Sequence, residues 1–218
     1  MTDSYITVLT KSHKEFVINK SRFFGYACPC LTEEEALSFI QNLREQYRDA
    51  THHCYAYIVG QNRGIMRYSD DGEPGGTAGM PMMDVMKKTG VVNCCVVVVR
   101  YFGGTLLGTG GLVRAYTQGC KEALIASKIV RMEKTAHILC EVPYSVWDSL
   151  QHAAQSLPLR ILNPEFAASI TFTLVVRSND LEDITEAVRR ITGRQIEMIL
   201  EEEIYDSWDI SGSIPSLL

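Results

Sequence analysis

The sequence has no CxxC pair, no apolar run long enough to cross a bilayer, and no strong excess of either charge. Each absence excludes a class. Zinc ribbons and thioredoxin-type redox motifs need cysteines three positions apart. The seven cysteines here are spaced otherwise: Cys28 and Cys30 flank a proline, Cys94 and Cys95 are adjacent, and the odd count leaves at least one unable to pair internally. The longest apolar block, Cys94 to Val99, is far short of the roughly 18 residues that span a membrane. The opening MTDSYITVLTK carries an early Asp and no apolar core, so it does not read as a signal peptide. The expectation is a soluble, cytoplasmic, thiol-reduced protein with no membrane partner. With 46% hydrophobic and 22% charged residues and a mean hydropathy of -0.02, disordered and fibrous classes are also excluded. The 218 residues leave room for one large domain or two small ones.

The net charge of -5 hides a division. Residues 1–134 hold 16 Lys and Arg against 13 Asp and Glu, net +3, while residues 135–218 hold 5 against 13, net -8. A mildly basic half joined to a strongly acidic one implies different partners for the two. Phosphates need local cations, so RNA or the ribosome is expected at the N-terminal half and a protein partner at the acidic C-terminal half.

The patterning restarts at the same place. In the first half, Tyr5–Val8, Glu15–Ile18 and Arg22–Ala27 read as strands. Thr32 with Glu35 fits a capping box ahead of a helix whose stripe is Ala36, Ile40, Leu43 and Tyr47. Tyr55–Val59 and Ile65–Tyr68 form a hairpin, residues 70–79 a Gly-rich acidic loop, and Met82–Lys88 a short helix closed by Gly90. Asn93–Tyr101, with four consecutive valines, is a strand buried on both faces. It runs into a glycine turn and a long helix with Leu112, Tyr116, Cys120 and Leu124 on its inner stripe. After Lys134 come strand His137–Val142, helix Ser145–Gln155 capped by Ser145, two strands Leu159–Leu162 and Ser169–Val176 around Asn163-Pro164, helix Asp180–Ile191 and strand Gln195–Glu201. That βαββαβ order is the ferredoxin-like split unit. The expected domains are 1–134 and 135–206, with 207–218 a flexible tail.

Two clusters carry chemistry. In the first, the strand–glycine turn–helix around Gly108, Thr109, Gly110 and Gly111 presents backbone N–H groups at a helix N-terminus, an anion cradle with Arg100 or Arg114 as charged partner. It is not a P-loop, because Thr109 stands where the phosphate lysine belongs, and it is not a dinucleotide fingerprint, because Val113 replaces the third glycine. The alternative is a tight turn, with Arg100 paired to a carboxylate of the acidic loop. In the second cluster, His52 and His53 face Asp70, Asp71 and Glu73 across the hairpin. Two histidines and three carboxylates suit a divalent metal or acid–base work. Neighbours on a strand point to opposite faces, however, and acidic pairs beside glycine also make ordinary turns. No metal, cofactor or catalytic residue is assigned.

The run Asp70-Asp71-Gly-Glu-Pro-Gly-Gly-Thr-Ala-Gly, then Arg100-Tyr-Phe-Gly-Gly-Thr-Leu-Leu-Gly-Thr-Gly-Gly-Leu-Val-Arg-Ala-Tyr, together with Ala-Thr-His-His-Cys-Tyr-Ala-Tyr at 50–57, resembles the IMPACT/YigZ family along the whole chain. One departure is Gly75, where members often show Ser. The resemblance implies an α+β protein. Its N-terminal mixed sheet with two main helices would be similar to the second domain of a small-subunit ribosomal protein and to domain IV of elongation factor G. Its C-terminal domain would be similar to domain V of that factor. Eukaryotic relatives regulate translation by competing for the activator of a kinase that phosphorylates an initiation factor. The implied function is therefore translation-associated regulation by binding RNA, the ribosome or a protein partner, with no firm catalytic activity. The alternative is an enzyme or sensor of a phosphorylated small molecule, because small-molecule kinases with a related fold use a Gly-rich loop for ATP phosphates.

Overall fold

The computed structural model describes residues 4–208, which divide into two compact units, one holding the chain up to Met132 together with Ser207 and Trp208, and the other spanning Glu133–Asp206. The N-terminal unit contains β1 (Ser4–Val8), β2 (Ser12–Ile18), β3 (Ser21–Pro29), α1 (Glu33–Gln46), β4 (His52–Val59), β5 (Ile65–Ser69), α2 (Gly79–Thr89), β6 (Cys94–Tyr101) and α3 (Gly108–Ala126). Its sheet has the order β2-β3-β6-β4-β5. Every pairing in it is antiparallel, which corrects the expected mixed sheet. The crossover through α1 makes β3 and β4 parallel to each other, but they are not neighbours. β6 slots between them and runs against both.

That position explains the valine run. Val96 and Val98 face a core shared with α2 and α3, whereas Val97 and Val99 face a second core under α1. Burial on both faces of β6 therefore comes from helices on both sides, without a parallel ladder. The sheet and α3 approach closely at Gly25. A Cβ built there would lie 2.4 Å from the Gly119 carbonyl oxygen, so the close approach requires glycine.

The Thr32 cap and the Gly90 stop act as read. Thr32 Oγ1 accepts from the Glu35 N–H at 3.2 Å, and Glu35 reaches back one residue further than a capping box does, to the Leu31 N–H at 2.6 Å. α2 is a full helix of 11 residues, giving this unit three helices, and it ends at Gly90 with φ 74.

The C-terminal unit contains most of β7 (Ile129–Val142), then α4 (Tyr144–Ala154), β8 (Leu159–Phe166), β9 (Ile170–Arg177), a 3-10 turn (Ser178–Asp180), α5 (Leu181–Ile191) and most of β10 (Glu197–Trp208). The second sheet has five strands in the order β1-β7-β9-β8, with β10 also pairing with β7, and the core of this unit is formed by β7, β9, α4 and α5 around Trp147, Leu150, Phe172 and Leu174. Several boundaries differ from expectation. β7 begins at Ile129, inside the N-terminal unit. β8 runs through Asn163-Pro164, because β8 lies at the end of the order and a register shift between Leu162 and Glu165 takes up the proline, with Asn163 at φ 49. Ser145 does not cap α4, which starts after Pro143 with no side-chain cap. β10 includes residues 207 and 208, and the rest of the expected tail lies outside the described residues.

Candidate functional site

The β4–β6 register places His52 opposite Arg100 and His53 opposite Val99. β5 ends at Ser69, opposite Tyr55 of β4, so the acidic loop after it runs back alongside the start of β4. The loop's three carboxylates have three different tasks. Asp70 accepts from the N–H groups of Gly76, Ala78 and Gly79 at 2.8, 3.0 and 2.8 Å. It thereby satisfies the first turn of α2, whose N-cap residue Ala78 has no side-chain acceptor. Asp71, at φ 43, accepts from the His53 backbone N–H at 2.6 Å and pairs with Arg44 at 3.0 Å.

Glu73 turns inward. Its Oε1 accepts from Arg100 Nη1 at 2.6 Å and from the Tyr116 hydroxyl at 2.7 Å, with His52 Nε2 at 3.8 Å. Arg100 Nη2 donates to Ser21 Oγ at 3.2 Å, and the guanidinium lies 5.4 Å from the Phe23 ring and 5.5 Å from that of Phe102. The side chains of Arg100 and Glu73 are only 5% and 3% exposed. A charge at the end of a strand buried on both faces needs a partner, and Glu73 supplies it. Burial, then Cys54 and Glu73, push the Tyr116 hydroxyl far above its ordinary pKa, so it remains a donor. Arg100 Nε is buried without a partner among the described residues.

A cavity of about 450 Å³ opens over this pair, lined by His52, Glu73, Arg100, Phe102, Gly108 and Thr109 among others. Part of each predicted cluster therefore meets here. His53 does not join them. It packs on the α1 side of the sheet, where burial lowers its pKa and Asp71 Oδ2 lies 3.9 Å from Nδ1. Among the described residues no group of three or more His, Cys, Asp or Glu is placed to hold a metal.

The glycine turn lies at the rim. α3 begins at Gly108 (φ 69) after Leu107, with no side-chain cap, so the N–H groups of its first turn, Gly108 to Gly111, have no side-chain acceptor. Arg100 cannot be the free cation for an anion there, because it is committed to Glu73 and Ser21. Arg114 is exposed and has no hydrogen bond or ion pair among the described residues. A Cβ on Gly110 would come within 3.8 Å of its Nη1. It shares a shallow hollow on α3 with Thr117, Gln118 and Lys121, at the i+3, i+4 and i+7 positions. Sequence reasoning missed Tyr116 and Ser21 as partners of the buried pair. Both carry ordinary core patterning, and no local signal distinguishes them.

Residues 19–124 match the family model "Impact N-terminal domain". The chain is 35% identical over 192 residues to IMPACT family member YvyE of Bacillus subtilis, covering 88% of each, and it belongs to the IMPACT family. It is also 30% identical over 188 residues to IMPACT family member YigZ of Escherichia coli, covering 85% of this chain and 92% of that one. It is 32% identical over 91 residues to the Protein IMPACT homolog of Saccharomyces cerevisiae, covering 40% of this chain and 35% of that one. A crystal structure titled as that of a hypothetical protein superposes with a TM-score of 0.59 at 28% identity, covering 93% of this chain and 99% of that one.

Proposed function

We propose that this chain is a translation-associated regulator that acts by binding, with RNA phosphates as the ligand of its N-terminal unit. The observation that carries the reading is the uncapped glycine start of α3, with the unpaired Arg114 beside it and polar Thr117, Gln118 and Lys121 continuing along one face. Backbone N–H groups and an exposed guanidinium suit successive phosphates of one strand. The net +3 of residues 1–134 supports this, and the net -8 of the rest makes the C-terminal unit a protein-binding module instead. Family membership supports the regulatory role. The pairing of β7 with both β9 and β10, and of β9 with β8, supports a ferredoxin-like assignment for the second unit. A tagged pull-down from native lysate, with and without ribonuclease, tests the reading. Ribosomal co-purification lost on ribonuclease treatment is expected, and co-purification indifferent to ribonuclease rejects RNA as the ligand.

One observation favours a second reading, a sensor of a phosphorylated small molecule. The cavity of about 450 Å³ is lined by His52, Phe102 and the glycine turn at Gly108 and Thr109, with the Arg100–Glu73 pair beneath it. Titration calorimetry with ATP separates the two. Micromolar binding abolished by Thr109→Trp favours the sensor, and no heat favours RNA.

A further inference from the structure

The ion pair leaves one oxygen of its carboxylate unused. Every hydrogen bond of the Glu73 side chain runs to Oε1. Oε2 makes none among the described residues, and it is not sealed in as Arg100 Nε is. The side chain is 3% exposed and Glu73 lines the cavity of about 450 Å³, so Oε2 opens to that cavity. His52 lines it too. A backbone carbonyl only accepts, so His52 Nδ1 carries a proton and donates to the Asp71 oxygen at 2.8 Å. Nε2 of the neutral ring is then an acceptor, and Glu73 Oε1 at 3.8 Å offers it no hydrogen bond.

A buried acceptor without a donor is costly, so a ligand that enters this end of the cavity must bring donors. A phosphate oxygen brings none. A cation is not called for, because Arg100 already neutralises Glu73. Neutral hydroxyls meet both conditions. The same cavity reaches Gly108 and Thr109, where the first-turn N–H groups of α3 do suit a phosphate. Leu106 and Leu112 add apolar wall. Phe102 lines the cavity as well, is 45% exposed, and is held by its N–H donating to Thr51 Oγ1 at 3.1 Å, which leaves its ring as a surface for a base.

We propose that the cavity takes the 3′-terminal nucleotide of a single-stranded RNA, whose free 2′- and 3′-hydroxyls donate to Glu73 Oε2 and His52 Nε2. The proposal rests on the RNA reading and deepens it. Inside a strand the 3′ oxygen is esterified, so an internal ribose has one hydroxyl donor for two acceptors, and only the terminal ribose has two. The 5′-phosphate of that nucleotide sits on the α3 N–H groups, its base lies against Phe102, and the preceding phosphates continue along α3 past Arg114. A DNA end lacks the 2′ donor. An RNA end closed by phosphate lacks the 3′ donor and brings a second anion towards a carboxylate. A free ribonucleoside 5′-phosphate carries the same diol, and competition separates it from an RNA end.

Fluorescence anisotropy of 5′-labelled octauridylate with the full chain tests this. Three versions differ only at the last nucleotide: a free diol, a 2′-deoxy end and a 3′-phosphate end. The diol end should bind about tenfold tighter than either of the others, as expected for loss of one hydrogen bond to a buried acceptor. His52→Ala should shrink that preference, read as a ratio within one protein so that a general weakening does not mimic it. Equal affinity for the three ends, or a preference untouched by His52→Ala, would overturn the proposal and leave RNA as the ligand. Failure of all three to bind would overturn the RNA reading and the proposal with it. Competition by UMP at the oligomer's own concentration would assign the diol to a free nucleotide and overturn the RNA end. If His52→Ala fails to fold, the three ends against the unaltered chain decide.

Discussion

The two units differ in how deeply they bury charge. The N-terminal unit covers both faces of its sheet with helices and buries one ion pair, Arg100–Glu73, where a loop, a strand and α3 meet. The C-terminal unit builds its core on one face, and pairs such as Arg194–Glu186 remain in solvent, with side chains 73% and 45% exposed. A buried pair must be complete, because either partner alone is an uncompensated charge in a poor dielectric, whereas a solvated pair is dispensable. A fully buried pair therefore fixes geometry in the first unit, whereas the second has half-buried pairs such as Arg177–Glu133 beside solvated ones such as Arg194–Glu186.

The strongest way to break this comparison is to separate the units. Expressed alone, 1–134 and 135–206 should each give a cooperative melt, because each has its own core. Loss of cooperativity in both would mean that the halves share one core.

Next in size is the removal of single charges. Arg100→Ala in the full chain should lose about 3–5 kcal/mol, because Glu73 is left buried and unpaired. Glu186→Gln should change stability by less than about 0.5 kcal/mol. Urea unfolding of both variants reads the contrast, and equal losses would refute it.

A smaller effect is expected in binding. Arg114→Ala should lower the slope of log affinity against log salt by about 1 for single-stranded RNA, without changing the melt. Filter binding at several salt concentrations measures it. A slope unchanged by the substitution would mean that phosphates sit elsewhere.

Much of this architecture is legible in the sequence, because it is written in local chemistry. The Thr32 cap, the αL glycine at Gly90 and the valine run of β6 each depend on a few neighbouring residues. What is not legible depends on partners far along the chain. The insertion of β6 between β3 and β4 makes the sheet antiparallel, and no periodicity encodes that. β8 continues through Pro164 because it lies at the end of the strand order, which is a property of the sheet. The candidate cluster is legible in composition but not in assignment. Asp70, Asp71 and Glu73 look equivalent in sequence, yet one serves the start of α2, one holds the β4 backbone and one neutralises Arg100. The difference arises from which way each turns, and that is set by residues 6 to 43 positions away.

The smallest expected effect belongs to His53, and it refines the contrast by showing that a buried titratable group outside the ion pair also marks the N-terminal unit. His53 is 8% exposed. Burial lowers its pKa below the ordinary 6.5, with smaller pushes in the same direction from Arg44 and His52, and is opposed by Asp71 and by the Tyr47 backbone. Between the folded value and 6.5 the unfolded chain binds more protons than the folded one, so unfolding free energy rises with pH across that window. The contribution is fully present above 6.5 and is lost as pH falls towards and through the folded value. His53→Gln cannot take up a proton, and its backbone N–H still serves Asp71. Its stability should therefore fall less steeply than that of the unaltered chain as pH drops below 6.5. Urea midpoints for both proteins between pH 7.5 and 5 measure the difference. Parallel profiles would show that His53 is not held neutral by burial, and a steeper fall in the variant would reverse the sign of the argument.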